Sequence, residues 1–213
     1  METIAPDVHR IALLPRDGLN AYLLGDVLVD AGLARSADTI IEALGGRTVS
    51  EHVATHAHTD HVGGSAKVVA GLGLDGLAIG SVDADAVRTG RPVAKKGALG
   101  RAIARGGRFA PVGVTRELRE GDEVGPGFRV LDAPGHTPGQ IVLWRPSDRL
   151  LIAGDVLTNM FGVHEPPGIL NVDPDRNRES VRKLAALEPA TVAFGHGQVL
   201  RDPAELRAYA KTL

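Results

Sequence analysis

Cysteine is absent from the 213 residues. That excludes disulfides, iron-sulfur clusters and thiolate zinc sites, so any metal would have to be held by imidazole nitrogen and carboxylate oxygen. Long apolar runs are missing as well. The stretch 49–54 is interrupted by Glu51 and His52, and falls far short of the ~20 residues needed to cross a bilayer. No transmembrane helix is expected. The first residues, Met1-Glu2-Thr3-Ile4-Ala5-Pro6-Asp7, have neither the basic start nor the apolar stretch of a secretory signal, and a cytoplasmic location is the expectation. There is no marked charge excess: a net charge of -2 and a pI near 6.4 give no global pull toward nucleic acid or membrane. Internal repeats, low-complexity tracts and linker-like boundaries are also lacking. With 43% hydrophobic residues the chain can bury a core, and one domain over 1–213 is expected.

Apolar, β-branched runs bounded by Gly, Pro or Asp predict strands over 8–14, 22–24, 27–29, 49–54, 128–131, 141–144, 150–153 and 191–194. Ala37, Ile40, Ile41 and Leu44 recur at helical spacing behind a Ser36 cap and ahead of Gly45-Gly46. Asp173-Pro174 reads as an N-cap and first helical proline, opening a helix through Val181, Leu184 and Ala185 to about Leu187. A last helix is expected over 203–211. Strands and helices are interspersed, while hairpin-like spacing at 22–29 and 141–153 argues against a purely parallel sheet. The fold class is therefore α/β, with a mixed sheet arrangement covered by helices.

One segment departs from this balance. Between Asp85 and Glu117 there is no acidic residue, while Arg88, Arg91, Lys95, Lys96, Arg101, Arg105, Arg108 and Arg116 are all basic. Within it Leu99, Ala102, Ile103 and Gly106 share one helical face and Arg101 and Arg105 another, which predicts a short amphipathic helix. A solvated face is the plain reading; a lid or an anion-attracting rim is the sharper one. The apolar face can be buried on its own subunit or on a second copy, so a homodimer is among the expectations.

The run Thr55-His56-Ala57-His58-Thr59-Asp60-His61-Val62-Gly63-Gly64 packs three imidazoles and a carboxylate into six positions after a predicted strand. Core packing has no use for such a run. Imidazole nitrogens suit zinc and similar divalent ions, and a nearby carboxylate adds charge neutralisation. A turn can aim His56 and His58 at one ion and Asp60 and His61 at its neighbour, with Gly63-Gly64 letting the backbone pass close beneath. Three further predicted strands end in a candidate ligand: Pro134-Gly135-His136, Gly154-Asp155 and Gly195-His196-Gly197. A polar loop of hydrogen-bonding histidines would explain one of these features but not the set. Loops converge at strand ends while the scaffold stays rigid.

With these residues the chain resembles the metallo-β-lactamase superfamily, from Asn20-Ala21-Tyr22 and Val29-Asp30-Ala31-Gly32 to Phe194-Gly195-His196-Gly197. The resemblance implies a four-layer αββα sandwich. It implies that His56, His58 and His136 hold one metal, that Asp60, His61 and His196 hold a second, and that Asp155 bridges them. Two divalent ions, zinc first and manganese or iron as alternatives, are the expected cofactors. In the flavodiiron branch the second position of the cluster is usually Glu, whereas here it is His58. A metal pair about 3.5–4 Å apart can lower the pKa of a bridging water from about 15.7 toward about 7, giving a nucleophilic hydroxide. Asp60 is expected to orient it. Asp30 resembles a position that supports a ligand histidine, and Thr55 and Thr137 are candidates for similar support. His9 and His52 read as ordinary strand histidines. The segment 157–172, which contains His164, is a candidate wall of the substrate pocket.

Among functions, hydrolysis of an acyl bond in a small-molecule substrate leads, as in glyoxalase II-like and lactonase-like members. A glutathione thioester is left open, because the chain ends soon after His196, where glyoxalase II proteins often carry a further helical domain that binds the glutathione part. A secreted β-lactamase is disfavoured by the missing export signal. A nuclease-like phosphodiesterase would draw on the basic segment but lacks larger substrate-binding additions, so nucleic acid is not the expected partner. An iron oxygenase resembling persulfide dioxygenases would use part of the ligand set around one iron. A non-enzymatic scaffold would have no use for a complete set.

Overall fold

Alternating side chains along most strands point to opposite faces, and here both faces are covered. The computed structural model describes residues 1–95 and 97–213, apart from the side chains of Leu99, Arg101, Ile103 and Ala104. Strands β1 (Glu2–Ala5), β2 (Val8–Ala12), β3 (Asn20–Leu24), β4 (Val27–Val29), β5 (Glu51–Ala54), β6 (Leu77–Gly80) and β7 (Val114–Leu118) form one sheet in that order. Strands β8 (Glu123–Val124), β9 (Phe128–Asp132), β10 (Ile141–Arg145), β11 (Leu150–Ile152) and β12 (Thr191–Ala193) form the other, ordered β12-β11-β10-β9-β8. The hairpins expected at 22–29 and 141–153 are antiparallel, whereas β4, β5, β6 and β7 pair in parallel.

Tyr22, Leu24, Val27, Val29 and Val53 of the first sheet pack between the sheets against Phe128, Val130, Ile141, Leu143 and Ile152 of the second. Their alternate neighbours turn outward. Ala21, Leu23 and Leu28 meet Ile40, Leu44 and Val68 of helices α1 (Ala37–Leu44) and, past the short α2 (Thr59–Val62), α3 (Ser65–Leu72). Further along the same sheet Leu77 and Ile79 meet Ala84 and Val87 of α4 (Ala84–Thr89). On the far side Val142, Trp144 and Leu151 meet Val181 and Leu184 of α6 (Pro174–Ala186) and Leu206 of α7 (Pro203–Ala210). The layers are the expected αββα sandwich, and burial on both faces explains why β3 and β10 are apolar at nearly every position rather than alternating.

Local signals account for the ends of several elements. Gly45 closes α1 in the left-handed conformation, although Ser36 makes no side-chain cap. Asp173 caps α6 by accepting from the Arg176 amide, with Pro174 in the first turn. Helix α5 (Ala98–Gly106) forms within the basic segment, while the expected facing of Leu99 and Ile103 against Arg101, like Lys96, lies outside the described residues. No helix among the described residues is long and apolar enough to cross a membrane. Latches tie the sheets where their strands end: Tyr22 Oη donates to the Phe194 carbonyl at 2.7 Å, and Asn20 Nδ2 donates to the carbonyls of Phe194 at 3.1 Å and Gly197 at 2.9 Å.

Candidate metal centre

Strands β9, β11 and β12 run in the same direction, so the loops that follow them emerge on one edge of the second sheet. His136, Asp155 and His196 sit on those loops. From the first sheet, β5 ends at Ala54 and the chain turns through Thr55 to His58, which stands as the N-cap of α2. The backbone can turn there because Gly64 lies against Ala31, to whose carbonyl oxygen no Cβ could be added without collision.

These loops bring all seven candidate ligands into two adjoining groups: His56, His58 and His136, and Asp60, His61, Asp155 and His196. Within each, the donor atoms lie within 4.8 Å of one another. Asp155 reaches across. Its Oδ2 is 3.7 Å from His136 Nε2 and 3.2 Å from His196 Nε2, and its Oδ1 is 3.3 Å from His61 Nε2. Asp60 Oδ2 lies 3.2 Å from His196 Nε2.

The opposite ring nitrogens show which atoms are left to bind. His61 Nδ1 donates to Asp30 Oδ2 at 2.8 Å, His136 Nδ1 to Asn171 Oδ1 at 2.8 Å and His196 Nδ1 to the Gly18 carbonyl at 2.6 Å. His58 Nε2 donates to the Val93 carbonyl at 3.1 Å, and His56 Nδ1 pairs with Thr55 Oγ1 at 3.1 Å. Carbonyl and carboxylate oxygens only accept, and the Thr55 hydroxyl already donates to Asp30, so each partner draws a ring proton to itself and leaves the other nitrogen of the neutral ring as a lone pair. In consequence His58 Nδ1 and His136 Nε2 face each other at 2.8 Å with no hydrogen of their own between them. His56 Nε2, His61 Nε2 and Asp155 Oδ1 are buried without a hydrogen-bond partner among the described residues. Orphaned buried acceptors are costly unless a cation satisfies them. The donor set therefore fits divalent metal.

Electrostatics separates the two groups. Burial lowers the basicity of His56, His58 and His136, the last to about 4. All three stay neutral donors at neutral pH. In the second group burial works against the Asp155 carboxylate, yet His61 and His196 outweigh it and hold its pKa well below the usual range. Asp155 in turn raises His196 to about 10. Asp60 is opposed by burial but held near 2, chiefly by its hydrogen bond to His196. Burial also opposes a charge on His61, but Asp155 and Asp30 push it well above the usual histidine range. The first group is neutral, so cation binding requires no proton to leave it, whereas in the second group two carboxylates face two protonated imidazoles and a cation displaces their protons.

The supporting residues divide into those foreseen and those not. Asp30 accepts from His61 as expected, and also from the Thr55 amide at 2.8 Å and the Thr55 hydroxyl at 2.9 Å. Thr137 supports no histidine directly; its hydroxyl donates to Asp83 at 2.6 Å. Asp83 was not foreseen. Fully buried, it also accepts from the amides of Ala57 at 3.1 Å and Gly139 at 2.8 Å, so it braces the histidine loop against the His136 loop. Its signal was the one that exposed the ligands, a carboxylate shortly past a strand end, but β6 was not read as a strand. Asn171 carried no sequence signal. His9 bonds Thr3 at 3.0 Å on the edge pair, and His52 is buried against the Leu28 carbonyl and Ser65 Oγ. Both are structural histidines.

Over the two groups opens a cavity of about 500 Å³. His58, Asp60, His136, Asp155 and His196 reach its interior, and the segment 157–172 supplies one wall through Met160, Phe161, His164, Ile169 and Leu170. His164 belongs to neither donor group; its Nδ1 donates to the Glu165 carbonyl at 2.7 Å. Two basic side chains of the segment are tied to acids. Arg88 is paired with Asp85 at 3.1 Å and Glu117 at 2.6 Å, and Arg116 with Glu51 at 3.3 Å. Among the described residues, Lys95 is the basic side chain of that segment lining the cavity.

Comparison with known proteins agrees with this geometry. A family model described as the metallo-beta-lactamase superfamily matches residues 14–196. A probable metallo-hydrolase of Bacillus subtilis, YflN, is 30% identical over 201 residues, covering 80% of this chain and 75% of that protein. A hydroxyacylglutathione hydrolase of Rhodospirillum rubrum is 28% identical, covering 89% of this chain but 66% of its own length. Of the Methylococcus capsulatus protein of the same name the match covers 40%. Among solved structures, a di-iron-bound form of TTHA1623 superposes with a TM-score of 0.75 at 27% identity, covering 96% of this chain and 100% of that one. The B3 metallo-beta-lactamase BLEG-1, at 23% identity and a TM-score of 0.73 over 97% of this chain and 99% of its own, shares the fold.

Proposed function

We propose a function for this chain from one premise: it belongs to the metallo-β-lactamase superfamily. The reading is a metal-dependent hydrolase that cleaves an acyl bond, whether ester, thioester or lactone, in a small molecule. One observation carries it: two adjoining groups of donors, several of them buried and unpartnered, at the floor of a largely apolar cavity. In this reading His56, His58 and His136 hold one divalent ion, Asp60, His61 and His196 hold a second, and Asp155 serves both. Imidazole and carboxylate suit zinc, manganese and iron alike; zinc is the proposed metal, and the di-iron neighbour makes iron the alternative to be separated by analysis. Divalent ions bound there would supply Lewis acidity, bringing the pKa of water toward about 7 and polarising a carbonyl.

The chain's own residues do the rest. Asp60 is half-buried, faces the cavity and stays ionised at neutral pH, so its carboxylate can orient a water molecule and accept its proton. Apolar walls exclude bulk solvent and strengthen the charge interactions on the floor. A polyanionic substrate is disfavoured because, among the described residues, Lys95 is the one Lys or Arg that lines the cavity. A single-iron oxygenase would leave half of the donor set without a role. Relatives named hydroxyacylglutathione hydrolase support acyl chemistry.

The test is elemental analysis of the purified protein together with hydrolysis of a thioester, a lactone, a β-lactam and a phosphodiester. Two equivalents of metal with chelator-sensitive acyl hydrolysis are expected. One iron without hydrolysis would replace the reading with an oxygenase, and salt-sensitive phosphodiester cleavage would replace it with a nuclease.

A further inference from the structure

Large apolar side chains are seldom left in water by a folded chain, and several together on one segment mark a binding surface. Among the described residues six are exposed, and four of them belong to one segment: Met160 at 44%, Phe161 at 89%, Ile169 at 51% and Leu170 at 45%. All four line the cavity over the candidate metal centre.

That segment is anchored at its base. Thr158 and His164 exchange backbone hydrogen bonds at 2.9 and 3.1 Å, closing the turn that carries Met160 and Phe161. Glu165 ties it to α6 and α7 by accepting from Asn177 at 3.1 Å, Arg178 at 3.3 Å and Tyr209 at 3.3 Å. Asn171 fastens its end to His136. Phe161 is thus held out on a fixed turn and gains nothing from the fold.

The polar side chains around the cavity narrow the occupant. Thr59 Oγ1 donates to the Gly107 carbonyl, and Thr158 Oγ1 donates to the His196 carbonyl at 3.0 Å. Both hydroxyls are committed. Outside the candidate ligands, Lys95 and the second ring nitrogen of His164 are, among the described residues, the side-chain groups that remain for hydrogen bonding. A substrate bearing several carboxylates or phosphates would meet, among the described residues, one lysine.

We propose that Met160, Phe161, Ile169 and Leu170 form an acyl-arm wall, selecting substrates whose acyl group is a medium-length aliphatic chain laid along this segment. The inference rests on the acyl-hydrolase reading and goes further by naming which half of the substrate the enzyme recognises. A buried methylene is worth a factor of about four in affinity. An arm covered on one side gains about half of that in free energy, or about twofold per carbon.

The experiment measures kcat/KM of the metal-loaded protein on N-acetylcysteamine thioesters from acetyl to octanoyl. A rise of about twofold per methylene, or about 64-fold from acetyl to octanoyl, is expected, and Phe161→Ser and Leu170→Ser lower the octanoyl-to-acetyl ratio by about threefold each. Both positions are exposed, so the variants should melt near the wild-type temperature, which is measured alongside. A flat chain-length series overturns the proposal. So does self-association of the wild type that Phe161→Ser abolishes while the series stays flat, since the patch would then join two copies. If no ester, thioester or lactone is cleaved, the acyl-hydrolase reading fails, and titration with N-methyloctanamide decides the wall separately: binding weakened in Phe161→Ser supports it, and no binding refutes it.

Discussion

Asp30→Asn isolates the part of the centre that depends on a single proton. Asp30 has a φ of 60°, a left-handed conformation that Asn tolerates as well as Asp, so the exchange changes charge without straining the backbone. Three donors converge on the carboxylate: the Thr55 amide on Oδ1, and the Thr55 hydroxyl and His61 Nδ1 on Oδ2. A backbone amide can only donate, so the Asn side chain must place its oxygen toward Thr55 and its NH2 toward His61. The threonine hydroxyl can rotate to accept from that NH2, but His61 can accept only by moving its proton from Nδ1 to Nε2. Nε2 is the atom aimed at Asp155 Oδ1, 3.3 Å away, and once protonated it has no lone pair for a metal. Loss of such an outer partner lowers metal affinity about 10- to 100-fold, or about 1.4–2.7 kcal/mol. Loss of the charge-assisted hydrogen bond should cost the metal-free protein about 1.5–3 kcal/mol, a fall in Tm of roughly 3–12 °C for a chain of this size. Calorimetric titration with zinc, thermal melting and nitrogen NMR of the His61 tautomer check the three steps. A variant that binds its second equivalent with wild-type affinity, or whose His61 keeps the Nδ1 proton, would refute the reasoning.

Asp60→Asn should keep the fold, weaken the second equivalent of metal and, at metal concentrations that still load both groups, lose at least about 10²-fold in kcat, read by elemental analysis beside steady-state kinetics; near-normal turnover with metals in place would remove Asp60 from proton handling. Gly195→Ala would drive a Cβ into Asp155 Oδ1 and the His61 ring, so metal stoichiometry should fall while the circular dichroism of the fold persists. His52→Gln addresses pH. Burial lowers the His52 pKa below 6.5, so the folded protein keeps it neutral while the unfolded chain takes up a proton below about 6.5. Stability present above that pH is lost as pH falls. The variant should show a shallower decline in denaturant midpoint below pH ~6.5, read as a difference from wild type because buried His56, His58 and His136 contribute with the same sign.

The four layers and the seven clustered side chains were legible because several signals agreed at each. Strands β4 and β10 are apolar on both faces and end in turn residues, and α1 and α6 carry the expected apolar spacing and stops. Edges were harder. Strand β7, Val-Thr-Arg-Glu-Leu, is exposed at three central positions and sits at the border of its sheet, so its composition resembles a loop; β6 is four residues long and ends in Gly80. Missing β6 hid Asp83, whose role depends on where that strand stops. Asn171 and the carbonyls of Gly18 and Val93 escaped for a different reason: a backbone oxygen has no side-chain signature, and an amide in a loop looks like any other turn residue. The basic segment was visible, but the pairing of Arg116 with Glu51 and of Arg88 with Glu117 depends on where β5, β6 and β7 lie in the sheet.

The convergence of loops from both sheets has a kinetic consequence. His56, His58, Asp60 and His61 arrive with the first sheet, and His136, Asp155 and His196 with the second, across a long stretch of chain. Neither half can form the centre alone, so it is assembled only after the sheets dock and the distant ends of the polypeptide have met. Contacts of such large sequence separation form late and slow the search. An ion captured there is absent from the folding transition state and present in the native state, so it leaves the folding rate nearly unchanged and retards unfolding.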